Sequence, residues 1–174
     1  GTFVLTTGID STAVAGTLFD DTYQGTLNED NSSNSTGTFS ALDDIDGSDG
    51  IDTFNLDILN ASDTQPTSAK VTDIEIVNVQ SVGATTLDTS TWTGTTNLNV
   101  IGSVGVVGVT AAATTAIDVK GVAAATTTTG GSSVMVMQEQ AANNIIVNKA
   151  AGDVTVTSTK VTTGTTTVGA DAVN

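Results

Sequence analysis

The sequence predicts an all-β protein, built as an irregular right-handed parallel β-helix-like solenoid, and three observations lead to this fold. Threonine supplies 35 of the 174 residues, and β-branched side chains suit a pleated strand better than a helix. Hydrophobic residues make up 38% of the chain, which is more than a disordered acidic chain carries. Short apolar alternations also recur along the chain without helical patterns between them.

Seven short segments alternate apolar and polar residues, and we predict that each is a strand. Their starts lie 9 to 23 residues apart, and Gly, Ala, Thr and Asn fill the intervals. The segments are 74–79 (IEIVNV), 97–102 (NLNVIG), 116–121 (AIDVKG), 133–137 (SVMVM), 144–149 (NIIVNK), 153–159 (DVTVTST) and 165–170 (TTTVGA).

A β-sandwich is the alternative architecture. Its antiparallel hairpins need tight turns such as Asp-Gly, and the Asp46-Gly47 pair lies outside the strand series. The small-residue spacers 105–116 (GVVGVTAAATTA) and 121–131 (GVAAATTTTGG) instead suit the corners of stacked coils. We expect one continuous domain, with an acidic β segment at 1–60 followed by a Thr/Val-rich solenoid at 61–174.

The charge balance excludes several classes of partner. Nineteen acidic residues face four lysines, giving a net charge of −15 with no arginine. Nucleic acids and anionic lipids are therefore not expected partners, because phosphate binding requires clusters of Lys or Arg. No apolar run is long enough to predict membrane insertion. Histidine and cysteine are also absent, so the usual nucleophilic triads cannot form and we do not expect an enzyme.

The densest acidic run is 43–54 (DDIDGSDGIDTF), which puts five aspartates into ten residues. Carboxylates combined with turn carbonyls suit Ca²⁺, which accepts six to eight oxygen ligands in loose geometry, whereas zinc and copper favour His or Cys. A merely solvated acidic loop is the other interpretation. The loop Glu29–Asp30 is a further source of ligands. The predicted calcium ligands are Asp20, Asp21, Asp43, Asp44, Asp46, Asp49, Asp52 and Asp57.

Residues 47–55 (GSDGIDTFN) resemble the calcium-binding RTX nonapeptide G-G-x-G-x-D-x-U-x, in which U is apolar. Gly47, Gly50, Asp52 and Phe54 match its first glycine, third glycine, aspartate and apolar position, whereas Ser48 replaces the second glycine. The resemblance implies that the glycines turn backbone carbonyls inward, that the aspartate closes on the ion, and that the apolar residue enters the core.

A weaker match lies at 16–24 (GTLFDDTYQ), where Gly16, Asp21 and Tyr23 align. Together with the later strands, these motifs make residues 1–110 similar to repeat regions of bacterial surface-layer and RTX-type exoproteins. The resemblance implies type I secretion, calcium-triggered folding outside the cell, and assembly at the cell surface into a layer, filament or matrix. The first residues, GTFVLTTG, lack the features of a signal peptide, so we expect either a longer precursor or another export signal.

The predicted function is thus a non-enzymatic structural protein, with itself as the main partner through exposed strand edges. A calcium-dependent adhesin or carbohydrate-binding module is the alternative, with a cell-surface polysaccharide as partner and Trp92 either a sugar platform or a packed corner residue. Two minor alternatives are a polysaccharide-degrading β-helix and an ice-binding face. The ice-binding face would use Thr155, Thr157 and Thr159, although solvated strand positions explain these threonines more simply.

Overall fold

The computed structural model describes residues 1–11, 15–27, 37–60, 63, 65–138, 144–159 and 164–169. Over these ranges the chain forms strands and contains no helix, so none could span a membrane. The strands are β1 Thr2–Val4, β2 Thr22–Leu27, β3 Asp44–Asp46, β4 Thr53–Ile58, β5 Lys70–Thr72, β6 Ile76–Ser81, β7 Thr85–Asp88, β8 Asn97–Ile101, β9 Val107–Ala111, β10 Ala116–Lys120, β11 Thr126–Gly130, β12 Ser133–Gln138, β13 Ile145–Asn148, β14 Val154–Ser158 and β15 Thr166–Val168.

These strands stack as a parallel β-solenoid, which confirms the predicted architecture over the β-sandwich. An eight-stranded sheet, here called the long sheet, has the order β1-β2-β4-β6-β8-β10-β12-β14. A five-stranded sheet, the short sheet, has the order β7-β9-β11-β13-β15, and β3 pairs with β5 on a third face. Every strand pair in these sheets is parallel.

The coils differ in length, as the unequal strand spacing predicted. Along the long sheet, successive register partners are separated by 20, 31, 23, 21, 19, 17 and 20 residues. Because the strands stay in register while the connections vary, the extra residues are accommodated at the corners and on the other faces. The two longest coils, of 31 and 23 residues, begin at β2 and β4 in the acidic N-terminal part.

Alternation of side chains builds the core. In the long sheet every second residue points inward, and the inward residues of neighbouring coils stack in register. One such column is buried throughout and consists of Tyr23, Phe54, Val77, Leu98, Ile117 and Val134. Burial of each large apolar side chain contributes about 1.5–3 kcal/mol before the entropy of folding is counted.

Aromatic rings fill the wider N-terminal coils. The ring of Phe39 lies 5.2 Å from that of Phe54 and 6.0 Å from that of Trp92, both edge to face. Gly25 makes room for this packing, since a Cβ there would lie 2.9 Å from Leu5 Cδ1 and 3.1 Å from Phe54. Trp92 is 5% exposed, so it is a packed residue, and the sugar-platform interpretation of Trp92 is wrong.

Part of the short sheet departs from the sequence prediction, whereas β13 and β15 lie within the predicted strand segments 144–149 and 165–170. Strands β9 and β11 lie within 105–116 and 121–131, which were predicted to be corners. The inward positions of β11 include the buried threonines Thr126 and Thr128, so the apolar and polar alternation that marks a strand is hidden in β11. Strand β6 also begins two residues later than predicted, because Ile74 is a buried corner residue rather than part of the strand.

Candidate functional site

Carboxylates line the corner at which the N-terminal coils enter the long sheet. Asp21, Asp52 and Glu75 directly precede β2, β4 and β6, so they occupy equivalent positions in three successive coils. Asp21 N donates to Asp52 Oδ1 at 2.6 Å, and Asp52 N donates to Glu75 Oε2 at 2.8 Å. These charge-assisted bonds satisfy backbone N–H groups at the corner. We call Asp21, Asp52 and Glu75 the entry column.

Asp21 has both carboxylate oxygens occupied. Its Oδ1 pairs with the amine of Gly1, and its Oδ2 accepts from Thr17 N at 2.6 Å. The hydrogen bond from that amine, followed by the bond from Thr17 N, holds the pKa of Asp21 below its ordinary value. Asp21 is therefore a satisfied residue that closes its own turn.

Asp52 differs from Asp21 because one of its carboxylate oxygens, here called the open oxygen, has no hydrogen-bond partner among the described residues. Asp52 is 0% exposed, and its Oδ2 is buried without a hydrogen-bond partner. Burial raises the pKa of Asp52, and the charges of Glu75 and Asp21 raise it further, although the hydrogen bond from Asp21 N acts in the opposite direction. A buried carboxylate with an unpaired oxygen costs free energy unless a proton or a cation neutralises it.

The glycine turn at 47–50 borders the open oxygen of Asp52. A Cβ on Gly47 would collide with Asp73 O and would lie 2.6 Å from Asp52 Oδ2, so both oxygens lie close against Gly47, where no side chain fits. Ser48 has a φ of 66° and Gly50 a φ of 133°, so the second and third glycine positions of the motif adopt conformations that favour glycine. The bordering groups are oxygen donors of the kind that calcium accepts.

A second set of buried carboxylates closes turns on another corner. Asp43 Oδ2 accepts from Ser40 N at 2.6 Å, and Asp43 Oδ1 accepts from Asp10 N at 2.9 Å. Asp10 Oδ2 in turn accepts from Thr6 N at 2.6 Å. Both aspartates are buried, and their oxygens are used by the turns they close. This arrangement explains part of the acidic run without any ion.

Two of the remaining predicted ligands have protein partners at the surface. Asp20 is exposed, and its Oδ1 accepts from Ile51 N at 2.9 Å in the next coil. Asp44 is half-buried and forms an ion pair with Lys70 at 3.1 Å. Both side chains therefore connect neighbouring coils.

The last three predicted ligands are also exposed. Asp46 Oδ1 accepts from Ser48 N at 2.9 Å, which closes the start of the glycine turn. Asp49 lies at the tip of that turn, and Asp57 lies on the outer face of β4. Glu29 and Asp30, the further candidates, lie outside the described residues.

The eight predicted ligands are thus spread over the N-terminal coils. Within the described ranges, no three acidic side chains come together in a group that could hold a metal ion. Three of the eight are buried, namely Asp21, Asp43 and Asp52, and of these Asp52 retains the open oxygen. Calcium binding by these residues remains a prediction.

Sequence reasoning missed three carboxylates, Asp10, Asp63 and Glu75. Asp63 Oδ2 accepts from Asn60 N at 2.9 Å, in the same way that Asp43 closes its turn with Ser40. The signal was a Ser, Thr or Asn placed three or four residues before an aspartate. Glu75 belongs to the entry column through pairing across 23 residues, and its position immediately before a predicted strand was the available clue.

The threonines proposed for an ice-binding face do not form threonine columns across coils. Thr155 and Thr157 are exposed on β14, and their register partners on β12 are Met135 and Met137. A flat array needs the same hydroxyl residue in successive coils, so the described part of this face does not provide one.

No family model matches the chain, and the search of curated proteins found no match.

Proposed function

We propose that the chain is a non-enzymatic structural solenoid that binds calcium outside the cell and associates with copies of itself at the cell surface. The observation that supports this proposal is Asp52 Oδ2, which is buried without a partner beside the Gly47 turn. The same residue occupies the aspartate position of the motif that resembles an RTX nonapeptide. Asp52 is therefore where the structure and the sequence pattern agree.

A bound cation would relieve an unfavourable arrangement of charge in the entry column. Asp52 lies between Asp21 and Glu75, and both neighbours raise its pKa. Like charges at such close range in a partly dry corner repel strongly, and calcium would offset this with oxygen ligation by Asp52 and a turn carbonyl such as that of Asp73. The chain has no histidine or cysteine, which favours a hard cation over zinc or copper.

Calcium dependence would also make the stability of the fold differ between the inside and the outside of the cell. A ligand that binds the folded state stabilises it by mass action, so the N-terminal coils would gain stability where calcium is plentiful. Extracellular calcium modules bind with dissociation constants of about 0.1–1 mM. The chain would then be less stable before export and firmly folded at the cell surface.

The test is thermal unfolding in chelator and in calcium, with Asp52→Asn compared against Asp153→Asn. Calcium at about 100 times the dissociation constant should stabilise the wild-type chain by about 2.7 kcal/mol. Asp52→Asn should lose this gain, yet should be more stable than wild type in chelator by about 1–3 kcal/mol, because the neutral amide replaces a buried carboxylate with an unpaired oxygen.

Asp153→Asn is the matched control, because it removes the same charge from an exposed residue just before β14. It should respond to calcium as the wild type does. Identical melting temperatures of the wild-type chain in chelator and in calcium would refute the proposal.

The pH dependence of stability gives a second readout in chelator. Folding raises the pKa of Asp52 above the value near 3.8 that it has in the unfolded chain. The contribution of Asp52 to the free energy of unfolding is therefore fully present below pH 3.8 and is lost as the pH rises through the pKa of the folded state. The stability difference between Asp52→Asn and wild type should therefore grow as the pH rises from about 3 to 7. A difference that stays constant across this range would show that Asp52 ionises normally.

A further inference from the structure

A groove crosses the outer face of the long sheet near its N-terminal edge, and its lining does not include the glycine turn at 47–50. It encloses about 290 Å³, close to the lower end of the size range of small-molecule sites. Its lining comes from three neighbouring coils and consists of Val4, Gln24, Gly25, Thr26, Thr38, Asn55 and Asp57.

One wall of the groove is held rigidly. Thr26 N donates to Thr38 Oγ1 at 2.9 Å, and Thr38 N donates back to Thr26 O at 2.9 Å. The next residue, Phe39, is buried, and its ring packs edge to face against Phe54. Because its neighbour is anchored in the aromatic core, Thr38 keeps a fixed position against β2.

The floor of the groove is oriented by a ladder of asparagines. Asn78 Nδ2 donates to Asn55 Oδ1 at 2.9 Å, and Asn99 Nδ2 donates to Asn78 Oδ1 at 2.8 Å. Asn55 is the last member of this ladder, and among the described residues its Nδ2 has no acceptor, so it can donate to a ligand in the groove. Its register partner in the preceding coil is Gln24, whose exposed side chain carries a second amide.

Asp57 completes the set of polar groups. It follows Asn55 by two residues on the same face of β4, and it is exposed in register with Thr26. Neighbouring strands are about 4.8 Å apart, so amide, carboxylate and hydroxyl groups form a small grid of donors and acceptors on the groove surface. Among the described residues that line the groove there is no lysine and no aromatic residue.

This chemistry selects one class of ligand. A carboxylate without a nearby lysine disfavours phosphates and acidic sugars, and an apolar ligand would leave the amides of the floor unpaired. A neutral molecule with many hydroxyl groups satisfies donors and acceptors together. We propose that the groove binds a neutral saccharide unit of a cell-surface polysaccharide, which adds a ligand to the proposed structural function and requires none of the entry column.

The proposal can be tested by following the side-chain amide signals of Gln24 and Asn55 by NMR in the ¹⁵N-labelled chain. The probes are neutral tetrasaccharides of glucose, mannose and N-acetylglucosamine, an oligogalacturonate, and calcium alone. At least one neutral tetrasaccharide should shift both signals saturably, and the galacturonate should not. The proposal is overturned if no neutral tetrasaccharide shifts them, or if calcium alone or the galacturonate produces the same saturable shift.

Asn55→Ala and Asn99→Ala form a matched pair of variants, because each removes one hydrogen bond from an end of the asparagine ladder. Asn55→Ala should weaken saccharide affinity about tenfold, whereas Asn99→Ala, outside the groove lining, should leave it unchanged. Equal weakening by both variants would assign Asn55 a purely structural role and overturn the site. Asp52→Asn should keep full saccharide affinity, so failure of the calcium test and failure of this one are distinguishable.

Discussion

The interior of β11 carries two hydroxyl groups that the fold leaves unsatisfied. Thr126 and Thr128 are both 0% exposed, and their Oγ1 atoms have no hydrogen-bond partner in the described part of the chain. Thr128 stacks between Val109 and Val147 of the neighbouring coils. A buried hydroxyl without a partner costs about 1–3 kcal/mol, so these positions lower the stability of the solenoid.

We therefore expect Thr128→Val to raise the free energy of unfolding by about 1 kcal/mol, because valine keeps the β-branched shape and removes the unpaired oxygen. Urea unfolding monitored by circular dichroism measures the change. Thr127→Val is the control, since Thr127 is half-buried on the opposite face of β11 and should shift stability by no more than about 0.5 kcal/mol. A clear loss of stability in Thr128→Val would mean that its hydroxyl has a partner.

At the scale of single residues, local chemistry could be predicted but pairing across coils could not. The glycine spacing before Asp52 predicted a turn, and the positive φ angles of Ser48 and Gly50 agree with that turn. Asp43 was selected for its charge, but its role is to accept the N–H of Asp10, 33 residues earlier. Glu75 likewise gains its role from Asp52. Such contacts depend on coil lengths, which composition does not give.

The glycine turn itself is an element whose backbone can be tested. Ser48 has a φ of 66°, a conformation that costs a residue other than glycine about 1–2 kcal/mol. Ser48→Gly should therefore stabilise the chain by about 0.5–1 kcal/mol, after the greater freedom of glycine in the unfolded state is subtracted. The N–H of residue 48 would still donate to Asp46 Oδ1. Urea unfolding in chelator and in calcium gives the measurement.

Gly50→Ala provides the opposite case within the same turn. Gly50 has a φ of 133°, and a Cβ there would lie 2.8 Å from the carbonyl carbon of Phe19. This variant should lose about 2 kcal/mol or more, because the strain of the backbone and the steric overlap add. If Ser48→Gly also destabilised the chain, the left-handed conformation at residue 48 would be in doubt.

At the scale of elements, the two sheets differ in how well the sequence predicts them. The long sheet places Val, Leu, Ile and Phe inward, so its strands show the two-residue period clearly. The short sheet uses hydroxyl residues inside, as where Thr85 Oγ1 lies 2.5 Å from Ser81 Oγ in a buried polar corner. The alternation of apolar and polar residues that predicts a strand is then absent, because inward and outward residues are alike in polarity.

At the scale of the whole molecule, charge is distributed unevenly along the solenoid axis. Residues 1–60 carry 11 of the 19 acidic residues and no lysine, whereas residues 116–174 carry four acidic residues and three of the four lysines. Two acidic ends repel each other more strongly than an acidic end repels the nearly neutral C-terminal part. Association should therefore join unlike ends, and calcium should strengthen it by neutralising the N-terminal coils.

The backbone of β14 offers an edge for such association. In the long sheet β14 pairs with β12 and with no other described strand. Val134 N donates to Asp153 O, and Thr159 N donates to Gln138 O, so the odd-numbered backbone groups face β12. Successive residues of a strand direct their N–H and C=O groups to opposite sides. The even-numbered residue Val156 therefore directs its N–H away from β12, toward the open edge. A second copy or a further coil can continue the sheet there.

Val156→Pro should therefore block association while preserving the coil, since it removes an N–H that β12 does not use. Val156→Ala is the matched control, because it shortens the same half-buried side chain and keeps the N–H. Light scattering and electron microscopy during a calcium titration should show assemblies for wild type and Val156→Ala, with Val156→Pro remaining monomeric and its circular dichroism spectrum unchanged. Assembly of Val156→Pro to the same extent as Val156→Ala would exclude this edge, and a wild-type chain that stays monomeric at every calcium concentration would exclude self-association itself.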